Sequence, residues 1–186
     1  EVLSTLSKMV APGITTHELE VAAEKMIRDA GARPAFKGYY VPAAGSKFPF
    51  VLCTSVNHEI IHGMPSPRRV LKDGDIVKID TGVELNGYFG DSAVTVPVGE
   101  ISDSLKKLLA VTKESLELAI EQVRPGNRLF DICGTVEKHV VKNGFSVVRE
   151  FVGHGIGTKL HEEPQIPNYV DKQHENPRLK EGMVFA

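Results

Sequence analysis

The dipeptide Asn86-Gly87 restricts the fold of this chain more than any other feature. It lies between two runs of β-branched and apolar residues, 75–84 and 88–98, and Asn-Gly at such a place predicts a type I′ hairpin turn. A two-residue turn also fixes the register. Leu85 then faces Tyr88, Gly82 faces Asp91 and Asp80 faces Ala93. Side chains alternate along a strand, so Asp80 and Asp91 share one face as diagonal neighbours, with Cα atoms roughly 7–8 Å apart. Gly82 leaves space between them.

Their neighbours Ile76, Val77, Ile79, Val83, Phe89, Val94 and Val96 are apolar. Two like charges there are expensive unless they are protonated, paired or bound to cations. Two divalent ions about 3.5–4 Å apart would fit the space. A single strand aspartate more often faces solvent or accepts backbone hydrogen bonds, and the hairpin alone leaves that alternative open.

The rest of the chain reads as helices in pairs around further strands. Apolar periodicity over Val2, Leu3, Leu6, Met9 and Val10 predicts the tail of a helix, with truncation expected at this end. Thr15 with Glu18 forms a capping box that opens a helix through Leu19, Ala23 and Ile27, ending at Gly31. Residues 35–50, rich in Gly, Pro and aromatics, predict an irregular loop, and 50–56 a strand. Helices are expected over 104–123, stopped by Pro125-Gly126, and over 129–142, stopped by Asn143-Gly144. Residues 145–152 read as β, 153–157 as a tight Gly-rich turn, and 182–186 as the start of another strand. The fold class is therefore α/β or α+β, with one domain expected over 1–186.

Composition narrows the function classes. The 22 basic and 24 acidic residues are interspersed and give a net charge of −2, so no basic face is expected to bind nucleic acid. No apolar run approaches the ~20 residues that span a bilayer, so a cytoplasmic protein without membrane attachment is expected. Cys53 and Cys133 stand far apart and read as buried free thiols.

Three histidines lie in loops that could carry chemistry: His62 in His-Gly-Met-Pro, His154 within Gly153–Gly157, and His161 in His-Glu-Glu-Pro. Glycines around His154 allow close backbone approach to a neutral imidazole, a ligand suited to transition metals. Taken singly, His154 is as readily a structural histidine, and His62 and His161 read more readily as surface or core histidines than as catalysts. His17, His58, His139 and His174 have no matching partner and are assigned no chemistry. The chain has no phosphate-loop pattern, no Gly-x-Ser-x-Gly elbow and no protease-like cysteine motif.

Three stretches together resemble the type I methionine aminopeptidases: Ser55 to Pro65, Asp73 to Asp91, and Gly153 to Pro164. The resemblance implies the pita-bread fold, a curved antiparallel sheet flanked by helices in two pseudo-twofold halves. It implies two divalent ions, of cobalt, manganese, iron or zinc, with Asp80, Asp91 and His154 among their ligands. His161 and His62 fall on the family's two substrate-facing histidines, His161 toward the scissile carbonyl and His62 toward the nitrogen. Cys53 and His62, with Tyr39 and Phe48 from the long loop, are expected around the methionine side chain, although the aromatics read equally well as ordinary packing.

The implied substrate is the N-terminal methionine of nascent polypeptides, the enzyme being a monomer with transient ribosome association. In the family two glutamate ligands follow the point at which this sequence stops, Ala186. The C-terminal half is therefore expected to be incomplete, and the chain as given inactive. Two other readings are an X-Pro aminopeptidase or prolidase, which share the fold and similar ligands, and a non-catalytic pita-bread module that binds peptides.

Overall fold

A computed structural model describes residues 1–173 and 175–186, with every side chain among them except that of Ala43. His174 lies outside the described residues. Contacts gather the chain into two compact units, Glu1–Ser102 with Thr158–Leu160, and Asp103–Gly157 with His161–Ala186. No helix among the described residues is long and apolar enough to cross a membrane.

In the first unit α1 (Val2–Met9) and α2 (Thr16–Asp29) precede six strands. These are β1 (Arg33–Pro34), β2 (Tyr40–Val41), β3 (Ser46–Lys47), β4 (Leu52–Val56), β5 (Ile76–Leu85) and β6 (Tyr88–Pro97). The Thr15–Glu18 capping box forms as expected, with the Glu18 N–H donating to Thr15 Oγ1 at 3.2 Å and the Thr15 N–H to Glu18 at 2.7 Å. Asn86 and Gly87 take φ of 53° and 82°, the left-handed pair that a type I′ turn requires.

All strand pairing is antiparallel. β5 pairs with β6 along its whole length, so its other edge takes β4 at residues 77–81 and β1 at 83–84. The loop over 35–50 is less irregular than expected. It contains the two-strand pairing of β2 with β3 around a short 3-10 turn at Pro42–Ala44.

Alternation across this sheet separates two surfaces. Leu52, Val56, Val77 and Ile79 point to one face and pack with Leu6, Leu19, Ala23 and Ile27 of the two helices. Cys53, Ser55, Asp80 and Asp91 are on the opposite face, by the period of two.

The second unit pairs α3 (Asp103–Gln122) with α4 (Leu129–Lys142) around Ala119, Ile132 and Leu179. It then forms a small hairpin from β7 (Gly153–Gly155) and β8 (Glu162–Ile166). Two local expectations fail here. Residues 145–152 form no strand, because side chains take up their backbone groups: Asn168 Nδ2 donates to the carbonyls of Val148 and Phe151 at 3.0 and 3.2 Å. The Gly-rich segment is partly a strand and not only a turn, since β7 also exchanges hydrogen bonds between His154 and Ala186, at 2.8 and 2.9 Å.

One buried polar group ties helix to sheet. Glu20, 4% exposed, lies on the apolar stripe of α2 and accepts the N–H groups of Val51 at 2.8 Å and Leu52 at 2.9 Å. Burial pushes its carboxyl above the usual range, against the pull of those two donors. Glu20→Ala leaves both amides buried without an acceptor and is expected to cost about 2–4 kcal/mol of stability. Urea denaturation measures this, and a loss below about 0.5 kcal/mol, the scale of an ordinary surface change, would contradict the role.

Candidate metal centre

The register derived from the turn is the register of the structure: Gly82 faces Asp91 and Asp80 faces Ala93. The two carboxyl groups are close enough to share a hydrogen bond. Asp80 is raised to about 7, first by burial, then by the negative charge of Asp91, and then by that shared hydrogen bond. A carboxyl in this state keeps its proton well above the ordinary carboxylate range.

Cys53 is the cross-strand partner of Asp80 and is 6% exposed. Burial pushes its thiol up to about 12, helped by the charges of Asp80, Asp91 and Glu20. It is a neutral, compact, apolar group at physiological pH. The charges of Asp80, Asp91 and Glu20 that act on this corner are all carboxylates, an electrostatic setting that a divalent cation would relieve. The donor set fits a hard or borderline ion held by oxygen.

The space expected over Gly82 is not open. A Cβ built there would lie 2.6 Å from Cε1 of Phe36, so the aromatic ring covers the glycine on the carboxylate face. The Ala35 N–H donates to the Gly82 carbonyl at 2.8 Å and holds the ring's segment in place. Tyr39, 45% exposed, and Phe48 belong to the next stretch, joined by the Phe48 N–H to Tyr39 carbonyl bond of 2.8 Å. Phe48 stands edge to face with Phe50 at 6.0 Å. His62 is exposed and has a left-handed backbone, φ 60°.

In the second unit, His154 Nδ1 lies 2.9 Å from the Gly155 carbonyl. That acceptor requires Nδ1 to carry the proton, which leaves the lone pair of a neutral imidazole on Nε2, the arrangement of a metal-binding histidine. His161 stands edge to face with His154, ring centres 4.4 Å apart. The glycines beside His154 are sterically required. A Cβ at Gly155 would come within 2.3 Å of the Glu163 carbonyl oxygen, and one at Gly153 within 2.7 Å of that of Ala186.

The structure therefore brings Asp80, Asp91 and Cys53 together in one unit, and His154 and His161 in the other. Among the described residues no three His, Cys, Asp or Glu side chains gather into a complete cation site. Sequence reasoning missed Glu20 and Phe36. Glu20 was detectable as an acid on the buried stripe formed by Thr16, Leu19, Ala23 and Ile27. Gly82, a glycine inside a strand, signals close approach by another group, but nothing local names Phe36.

Comparison with known proteins agrees with these features. The model of metallopeptidase family M24 matches residues 1–186. Methionine aminopeptidase 1 of Bacillus subtilis is 52% identical over 181 residues, 97% of this chain and 70% of that protein. The crystal structure of methionine aminopeptidase from Thermotoga maritima superposes with a TM-score of 0.91 at 40% identity, covering 99% of this chain and 71% of that one. The prolidase from Pyrococcus horikoshii shares the fold, with a TM-score of 0.81 at 23% identity over 99% of this chain and 48% of its own. The chain belongs to the methionine aminopeptidases of metallopeptidase family M24.

Proposed function

We propose that the protein hydrolyses the peptide bond after the N-terminal methionine of newly made polypeptides, with residues 1–186 acting as one catalytic domain in the cytoplasm. The observation that carries this reading is the half-buried Asp80–Asp91 pair, held on one face by the hairpin register beside a further carboxylate, Glu20. The relatives' methionine specificity supports methionine over proline-directed cleavage, since the prolidase likeness at 23% identity reflects the fold alone.

In this reading Asp80, Asp91 and His154 contribute ligands for two divalent first-row ions. Bound there, such ions supply Lewis acidity for amide hydrolysis. His161 donates a hydrogen bond to the scissile carbonyl oxygen as negative charge develops on it. His62 serves the nitrogen side of the same bond. The neutral thiol of Cys53, together with His62, Tyr39 and Phe48, receives the methionine side chain, for which a soft apolar lining suits the thioether.

The protonation of Asp80 gives a test independent of turnover. Its folded value of about 7 stands above its ordinary 3.8, so its stabilising contribution is complete below about 3.8 and is lost as pH rises through about 7. Metal-free protein should therefore lose stability over that window, and Asp80→Asn should lose less. Melting temperatures of both, taken in chelator from about pH 4 to about pH 8, check this, and parallel curves would contradict it.

Activity separates the ligand from the hydrogen-bond donor. In the full-length chain, His161→Ala is expected to lower turnover of a Met-Ala peptide by roughly 10²–10³ while metal content stays near that of the parent. Asp91→Ala should lose metal and activity together. Full activity in the first variant, or unchanged metal binding in the second, would refute the corresponding role. An X-Pro peptide cleaved faster than Met-Ala would replace the proposed specificity with the prolidase one.

A further inference from the structure

The loop between β4 and β5 is anchored before and after His62, and the anchors define the backbone of that residue. At its start, Asn57 sits at φ 55°, and its side chain receives the Ile76 N–H at 3.0 Å and donates to Asp75 at 2.8 Å. Lys78 Nζ donates to the Asn57 carbonyl at 2.7 Å. Directly after His62 the chain folds back onto the edge of β4. The Gly63 carbonyl accepts the Thr54 N–H at 2.8 Å, and the Gly63 N–H donates to Ser55 Oγ at 3.0 Å.

These last two bonds fix the peptide planes on either side of Gly63. The plane before it is shared with His62, so the bond to Ser55 sets the direction in which that residue leaves its left-handed conformation. The approach tolerates only glycine, because a Cβ at position 63 would lie 2.3 Å from the Thr54 carbonyl oxygen. Left-handed backbone is unfavourable for a residue other than glycine, so a histidine stays there only while its surroundings hold it. Ser55 is 2% exposed and lies on the sheet face that carries Cys53 and Asp80.

We propose that Ser55 is a positioning residue for His62: its buried hydroxyl, by accepting the Gly63 N–H, locks the His62–Gly63 peptide and aims the imidazole. The inference rests on the reading of His62 as a group that serves the scissile amide. In this assignment Ser55 needs no contact with substrate. It acts through His62 alone, which distinguishes it from a residue that merely stabilises the sheet.

The test is a double-mutant cycle in the metal-loaded full-length enzyme, with Ser55→Ala, His62→Ala and the pair. Ser55→Ala should lower kcat for a Met-Ala peptide by roughly three- to tenfold, the worth of one hydrogen bond, at unchanged metal content. In the His62→Ala background the same change should cost nothing further. Ser55→Thr, which keeps the hydroxyl, should restore kcat, and Ser55→Cys, similar in size but a poor acceptor, should show the same loss of kcat and takes the place of the alanine variant where that one folds badly. An equal loss in both backgrounds, or full kcat in the alanine and cysteine variants, overturns the assignment of Ser55. Full activity in His62→Ala alone overturns instead the role of His62, and the inference falls with it.

Discussion

Two carboxylates are held side by side on one face of a twisted hairpin, and the other features of the first unit follow from keeping them there. Like charges in a partly apolar setting repel and lose hydration, so the arrangement is unfavourable by itself. It persists because the register that creates it is fixed elsewhere, by a two-residue left-handed turn and by the ten paired positions of β5 with β6. A one-residue slip would send Asp80 into the face that packs with α1 and α2, and Ile79 onto the face now carrying the acids. The core therefore enforces a geometry that the acids oppose.

Supporting groups around the pair are polar and buried. Glu20 holds the entry of β4 through two backbone amides, and β4 in turn presents Cys53 opposite Asp80. Further along the strand, Thr54 and Ser55 receive Gly63 and with it the backbone of His62. One short strand thus connects the helix layer, the acid pair and the loop that carries His62. Its surroundings explain why all five residues of β4 are buried although the strand carries polar side chains.

What could be read from the sequence was whatever local rules determine. The turn chemistry of Asn86-Gly87, the period of two and the capping box at Thr15 need only neighbouring residues, and each was legible before any fold was known. The roles of Glu20 and Ser55 were not. Glu20 meets partners 31 and 32 residues away, and the serine bond depends on a loop returning to β4. Residues 145–152 were misread because a β-like composition says nothing about whether a partner strand exists; Asn168 supplies the hydrogen bonds instead. Gly82 was read as an open space, when in a folded strand a missing Cβ is as often the place where another ring arrives.

The central claim is that the acid pair exists to hold divalent cations. Anomalous diffraction from crystals of the full-length protein soaked in zinc tests it most directly. The account predicts a peak within about 2.0–2.2 Å of carboxylate oxygens of both Asp80 and Asp91. Zinc bound elsewhere with these two carboxylates still sharing a proton would contradict it.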